Sequence, residues 1–439
     1  MARAEKDIYT YLNFFIMGSG CFARGQRAKG FLLLAMQVLY FFFMWNFGLQ
    51  ALILFRTLGV TEQFTVWNPE LEINQVMQGD NSMLVLIFGV VTIIVSLLFV
   101  VLYVMNILFE RKAAQLLAEG KTPPTFKEDL HSLWHDKYHV VLLALPMLGI
   151  ILFTVIPLIF MILMSFTNFD RMHQPPGRLF TWVGFSNFAE LFHANPRLSS
   201  TFFSILGWTF IWAIVATITN YIGGVALALL INRKGTRFKS MWRSFFVATI
   251  AVPQFVSLLL MRQLLNDNGT LNVILMNWGL IEEPIRFLGT HARITVLLVN
   301  FWVGVPFTLL ITTGILMNIP EDLYESARLD GAGAFMMFRK ITMPYMLFVT
   351  TPYLIVQFMQ NINNFNVIFL TTGGGPLTLD LYQAGRTDLL ITWLYSLTIN
   401  QQDFRLAATI GVMIFIILAI FSLVSFNLLA SRKREEDFS

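Results

Sequence analysis

The chain has 439 residues, 56% of them hydrophobic and only 13% charged, with 43 phenylalanines and a mean hydropathy of +0.66. Soluble domains carry about 45–50% apolar and about 25% charged residues, so the composition excludes a soluble globular protein and predicts an all-α polytopic membrane protein. The net charge of +4 is no nucleic-acid signal, because the basic residues gather in a few segments between apolar runs, and a single cysteine, Cys21, excludes an internal disulfide or a cysteine metal cluster.

In chain order, eight apolar runs come near the ~20 residues a bilayer crossing needs: roughly 31–55, 83–109, 138–166, 201–231, 245–264, 293–317, 346–370 and 406–430. The first is too long for the apolar region of a signal peptide. The run 245–264 is interrupted by Pro253, Gln254, Ser257 and Arg262. Residues 1–30 read as an interfacial amphipathic segment with no chemistry of its own. Residues 31–137 read as a two-span unit with a linker carrying Pro123-Pro124, 138–430 as a six-span core, and 431–439 as a tail. Segments 1–30, 110–137, 232–244, 318–345 and 431–439 hold 21 of the 30 lysines and arginines, including every lysine. The distribution of basic residues therefore predicts that both termini and the loop 318–345 are cytoplasmic.

Few soluble-enzyme signatures survive inspection. His131, His135 and His139 would stack on one face of a helix, as metal ligands could, but no further carboxylate or cysteine completes a set. Gly373-Gly374-Gly375-Pro376 lacks the Lys-Ser or Lys-Thr of a phosphate loop and reads as a turn. Gly18-Ser19-Gly20-Cys21 has no nearby histidine to activate its serine, so no catalytic residue is expected. The polar residues inside the spans are more informative. Gln357, Gln360, Asn361 and Asn364 share one helical face in the seventh run, flanked by Asn363 and Asn366. Asn300, Gly304 and Phe307 repeat that spacing in the sixth, and Gln254 and Ser257 follow Pro253 in the fifth. Amides inside a membrane are costly unless they face a bundle interior or a wet cavity. Their donors and acceptors suit sugar hydroxyls and do not select an ion. Interhelical glue, worth ~0.6 kcal/mol per contact, is the alternative and stays open at this point.

The loop 318–345 opens like a helix: Asn318 and Pro320 lead in, and Glu321 and Asp322 occupy the first turn. Gly331-Ala332-Gly333 offers a stop, and a second amphipathic piece is expected to end at Pro344. Such a knob is too polar for lipid and predicts a contact in the aqueous phase, an ordinary loop being the other reading.

Glu325, Ala327, Gly331, Ile341 and Pro344 fall at the spacing of the EAA motif, with Ser326 and Met343 in place of its alanine and leucine. The stretch therefore resembles the coupling segment of bacterial ABC importer permeases. The resemblance runs through 295–425 and is similar to the larger permease subunit of the maltose/maltodextrin family, to which Thr387-Asp388-Leu389-Leu390 and Gln402-Asp403-Phe404 also conform. It implies a six-helix type I importer core that docks a separate ATPase through Glu325, Ser326, Ala327, Asp330, Gly331, Gly333 and Pro344. It also implies a sugar path at Asn300, Gly304, Phe307, Gln254, Gln357, Gln360, Asn361 and Asn364. Phe307 and Gln357 differ from the family in residue type, and Gln254 aligns only across a gap. The implied partners are a second homologous permease subunit, two ATPase subunits carrying ATP and magnesium, and a lipid-anchored extracytoplasmic sugar-binding protein. No cofactor is expected on this chain itself, which has no nucleotide-binding loop and no acidic relay in its spans. The segment 167–200 is short where the Gram-negative family members carry a large extracytoplasmic domain, which implies a multi-pass protein of a Gram-positive cell membrane. Another oligosaccharide, or a stand-alone secondary sugar transporter, remains the alternative.

Overall fold

The computed structural model of the chain describes residues 8–233 and 235–436, with side chains through Asn427. The tail expected at 431–439 thus falls outside the described side chains, and its last three residues outside the described backbone. The chain forms two compact units, Met1–Gly184 and Phe185–Ser439. The first holds the helices α1 (Ile8–Phe15), α2 (Arg27–Phe55), α3 (Ser82–Ala118) and α4 (Tyr138–Met164), with a two-stranded antiparallel hairpin, β1 (Phe64–Asn68) and β2 (Ile73–Met77), between α2 and α3. The second holds α5 (Pro196–Asn232), α6 (Lys239–Ala251), α7 (Gln254–Leu264), α8 (Ala292–Leu316), α9 (Glu321–Leu329), α10 (Met343–Ile362), α11 (Phe365–Thr371) and α12 (Phe404–Glu436), with shorter helices between. Division by packing thus places α4 in the first unit, whereas the functional core expected over 138–430 counts it with the remaining spans.

Seven helices among the described residues are long and apolar enough to cross a membrane, and an eighth span results if α6 and α7 are taken as one. That pair is bent by 89°. The cause is local: Pro253 has no N–H to donate and forces Val252 out of the helical region, to ψ 125°. Elsewhere proline is absorbed. The second piece of the polar loop does not end at Pro344; the helix continues from Ala334 to Ile362. A wide π-turn over Phe338–Thr342, closed by the Met343 N–H on the Phe338 carbonyl, makes room for a ring that would otherwise strike the preceding turn. The same device, Ile151–Val155, precedes Pro157 in α4.

In the first unit the N-terminal segment is more than an orientation signal. Arg24 and Glu110 form an ion pair at 2.7 Å with both side chains buried, and Thr10 donates a 2.7 Å hydrogen bond to Glu110. Asn13 and Asn106 both accept from the Gly18 N–H. The histidines do not share a helix: one ends at Trp134, His135 caps it, and His139 lies in α4. The His131 and His135 rings stack at 3.9 Å, and no cluster of three potential ligands exists among the described residues.

In the second unit α5 packs closely on α8 because small residues line the seam. A Cβ on Gly224 would meet Thr308 at 2.6 Å, and one on Gly223 would meet Phe301 at 2.6 Å. Around this pair Trp208, Trp212, Leu258, Val296, Val299, Val367 and Ile368 build one buried cluster. Phe202, Ile205, Trp393, Leu406 and Ile410 build a second towards α12.

Candidate functional site

The two breaks in the second unit open on the same space. At the first, the chain leaves α6 at Val252 and enters α7 at Gln254. At the second, α10 ends at Ile362 and α11 starts at Phe365, because the Asn364 side chain accepts the Val367 N–H (3.3 Å) as an N-cap. The four amides expected on one continuous helical face therefore straddle a break. Asn364 belongs to the turn rather than to α10, yet it still faces the same side.

Between α5, α6, α7, α8, α10 and α11 lies a cavity of about 1090 Å³. All eight residues proposed from the sequence line it: Gln254, Asn300, Gly304, Phe307, Gln357, Gln360, Asn361 and Asn364. So do Ser257, Asn363 and Asn366, and the aromatic rings of Phe245, Phe246, Phe301, Trp302 and Phe365. The lining carries nine carboxamides and no ionisable side chain.

The amides fall into two groups. Asn361 is buried and committed: it donates to the Thr217 hydroxyl (2.9 Å), and its backbone carbonyl, left partly free by the helix break, accepts from the Trp212 indole (3.1 Å). Asn364 donates to the Asn300 Oδ1 at 3.3 Å. These three asparagines tie α5, α8 and α10 together, as the glue reading has it. Gln357 and Gln360 are half-buried and exposed respectively, and neither makes a hydrogen bond among the described residues. Gln254 accepts only a long contact from Asn366, at 3.4 Å. The glutamines are therefore among the groups available to a ligand. Phe307, 48% exposed, offers its ring beside Tyr353, whose hydroxyl is anchored to Thr308 at 3.2 Å.

Gly304 does not leave an open gap. A Cβ there would fall 2.2 Å from the Asn220 Nδ2, so the space is already filled by an amide from α5. Asn220 is the cavity residue that sequence reasoning missed. It is the one carboxamide in the middle of an otherwise apolar 37-residue helix, next to the Gly223-Gly224 pair, and that combination is the signal that could have found it.

The polar loop is built as its termini require. Helix α9 begins after Pro320 with Glu321 and Asp322 in its first turn. It ends in a Schellman motif: the Ala332 N–H bonds the Ala327 carbonyl (2.9 Å) and the Gly331 N–H bonds the Arg328 carbonyl (3.0 Å). Gly331 sits at φ +80°, and a side chain there would meet nothing in this chain. Glu325, Ser326, Asp330, Gly331, Gly333 and Pro344 are exposed and Ala327 is half-buried. Leu329 and Phe335 stand 89% and 74% exposed at the tip. Tyr324 holds the knob to the root of α10 through the Thr342 hydroxyl at 2.9 Å.

Residues 221–435 match the family described as binding-protein-dependent transport system inner membrane component. The maltodextrin transport system permease protein MdxF of Bacillus subtilis is 34% identical over 422 residues, covering 94% of this chain and 93% of its own length. The galactooligosaccharides transport system permease protein GanP of the same organism is 35% identical over 81% of this chain and 85% of its own. The maltose/maltodextrin permease MalF of Escherichia coli is 34% identical, but over 61% of this chain and 52% of its own length. Among solved structures, a bacterial ABC transporter involved in the import of alginate superposes with TM-score 0.54 over 68% of this chain and 98% of its own, at 21% identity, a likeness of fold. Fold and cavity thus define a multi-pass ABC importer permease. The chain belongs to the binding-protein-dependent transport permeases, the family that holds MdxF and GanP.

Proposed function

We propose that this chain is one half of the translocation path of an ATP-driven oligosaccharide importer, and that its cargo is a maltodextrin. The observation that carries the reading is the cavity's lining of nine carboxamides without a charge. Neutral donors and acceptors beside aromatic rings suit a hydroxyl-rich, uncharged solute, and the absence of ionisable groups disfavours a proton- or ion-coupled transporter. Near full-length similarity to MdxF, greater in extent than that to GanP, favours maltodextrins over galactooligosaccharides. In this reading Gln357, Gln360 and Gln254 hydrogen-bond the sugar and Phe307 stacks on it. Asn361 and Asn364 hold the helices that present them, and Asn300 shares in this through its Oδ1 while its Nδ2 stays unpaired.

Concentrating a sugar needs energy, and the exposed knob between α8 and α10 is where it would enter. Glu325 to Gly333 docks a separate ATPase, with Leu329 and Phe335 as its apolar anchors, and ATP and magnesium stay on that partner. A second, homologous permease subunit completes the path, two ATPase subunits drive it, and an extracytoplasmic sugar-binding lipoprotein delivers cargo. Both termini lie in the cytoplasm, as the basic residues predict. The membrane is that of a Gram-positive cell, since the full-length relatives come from Bacillus and Streptococcus.

Uptake of labelled maltotriose and of a labelled galactotriose, in cells lacking this gene and complemented with wild type, Gln360→Ala or Gly331→Asp, tests the proposal. Wild type should restore maltotriose uptake, Gln360→Ala should weaken it, and Gly331→Asp should abolish it with membrane levels unchanged. Restoration of galactotriose uptake alone would replace the cargo. Full restoration by Gly331→Asp would remove the coupling role of the knob.

A further inference from the structure

Two buried amide atoms lie against the cavity without a partner. Asn220 on α5 is 2% exposed and its Oδ1 accepts no hydrogen bond among the described residues; Asn300 on α8 is 3% exposed and its Nδ2 donates none among them. Both residues line the cavity. They are neighbours across the closest helix pair, for Asn220 packs on Gly304, one helical turn from Asn300. Buried polar groups are nearly always paired, and two unpaired atoms on residues that line one cavity call for a partner. The surrounding amides do not meet the demand: Asn361 is taken by Thr217, and Asn364 serves Asn300 Oδ1 and the Val367 N–H.

The two unpaired atoms are opposite in kind. A cation would satisfy the oxygen only, and an anion the N–H only. A hydroxyl donates to one and accepts from the other. Exchange of the two ends of the Asn220 amide would present two donors, which a hydroxyl satisfies by accepting twice. We propose that Asn220 is a specificity-determining residue of this permease, which together with Asn300 takes one hydroxyl of the passing sugar at the α5–α8 seam. Gly304 makes the arrangement possible, since any larger residue would occupy the place of the amide. Helix packing on both sides holds Asn220 in position before the sugar arrives, so little ordering is lost on binding. The inference rests on the reading of the cavity as a sugar path and adds to it the residue that reads a particular hydroxyl.

The test is transport by the assembled complex, with its permease partner, ATPase and binding protein, in proteoliposomes. The probes are maltotriose and a panel of its monodeoxy analogues. Wild type should reject one analogue by about tenfold or more, because the missing hydroxyl leaves both amide atoms unpaired. Asn220→Ala should carry that analogue and maltotriose equally, with a raised KM for maltotriose, and Asn220→Ser, which keeps a hydroxyl, should recover part of the discrimination. If Asn220→Ala or Asn220→Ser slows every sugar alike and leaves the ratios intact, the residue is structural and the inference is overturned. Failure of wild type to carry maltotriose or any other oligosaccharide would overturn the sugar-path reading and the inference with it. Normal maltotriose transport with unchanged ratios in both variants would overturn the inference alone.

Discussion

Replacing Gly304 by alanine adds one methyl group at a tight place on the α5–α8 seam. The new Cβ would lie 2.2 Å from Asn220 Nδ2 and 2.7 Å from its Cγ, well inside van der Waals contact. Two responses are open. Asn220 can swing away, which moves its amide from the cavity wall, or α5 and α8 can separate, which loosens Gly223 and Gly224 from Phe301, Val305 and Thr308. Overpacking of this kind costs about 1–3 kcal/mol. For a unit of this size that lowers the melting temperature by about 2–4 °C per kcal/mol. The assay is thermal unfolding of the purified complex carrying Gly304→Ala, Asn220→Ala or both. Because the methyl and the amide compete for one space, Asn220→Ala should remove most of the penalty of Gly304→Ala, giving strongly non-additive melting temperatures. Equal penalties in the two backgrounds would show that Gly304 and Asn220 do not meet, and would sink the seam geometry on which the site reading depends.

Other outcomes follow from local chemistry. Burial pushes the Asp388 carboxyl up to about 6, against the Gly385 N–H and the Thr392 hydroxyl that favour its charge. The folded state then keeps a proton that the unfolded chain, with an ordinary pKa of 3.8, has lost. Stability is therefore greatest below pH 4 for this group and falls as pH rises through 6, by about 3 kcal/mol in all. Asn at position 388 should flatten that slope between pH 4 and 7, and an unchanged melting profile would refute the assignment. Glu110→Ala should destabilise the first unit by about 3–5 kcal/mol, because it strands the buried Arg24 charge. Arg24→Leu with Glu110→Leu should recover most of that loss in thermal unfolding. Leu329→Asp with Phe335→Asp should leave the fold unchanged, since both side chains are exposed. Co-purification of the ATPase should nonetheless be lost, and its retention would place the docking face elsewhere.

Much of this architecture could be read from the sequence because its signals are local. Twenty-residue apolar runs announce spans, Pro253 announces a break, and Glu321, Asp322 and Gly331 announce the ends of α9. What escaped reading depends on residues far apart in the chain. Arg24 reads as one more topology-setting cation until Glu110, 86 positions later, is seen against it. Asn220 reads as an isolated amide until Gly304 closes on it. The hairpin at Phe64–Met77 has no clean alternation, since neither face is buried and no apolar stripe was required. Pro344 misled for a different reason: a π-turn costs one residue of register and leaves no mark in composition. Even the amide face was legible only in part. Its residues line one cavity, though across a helix break rather than on one continuous face, and whether an amide binds a helix or a ligand depends on partners such as Thr217 that no spacing rule supplies.

The two helix breaks give the clearest physical link between knob and cavity. Unwound backbone at membrane depth is tolerated only where it is buried in protein or lines a wet space, and both breaks, at Val252–Pro253 and at Asn363–Asn364, line the same cavity. The second break lies on a helix whose other end is the knob. From Ala334 to Ile362 the chain is helical throughout, a rod of about 43 Å at 1.5 Å per residue. Gln357, Gln360 and Asn361 stand near its far end, and Tyr324 clamps the knob to its root at Thr342. Pro344 and Pro352 interrupt the hydrogen-bond ladder between the knob and the amides without ending the helix, and the break comes beyond the amides, at Asn363. In the proposed reading, a push on the knob would travel along this helix to its amide-bearing end, and the break at Asn363–Asn364 is the place where the chain can bend.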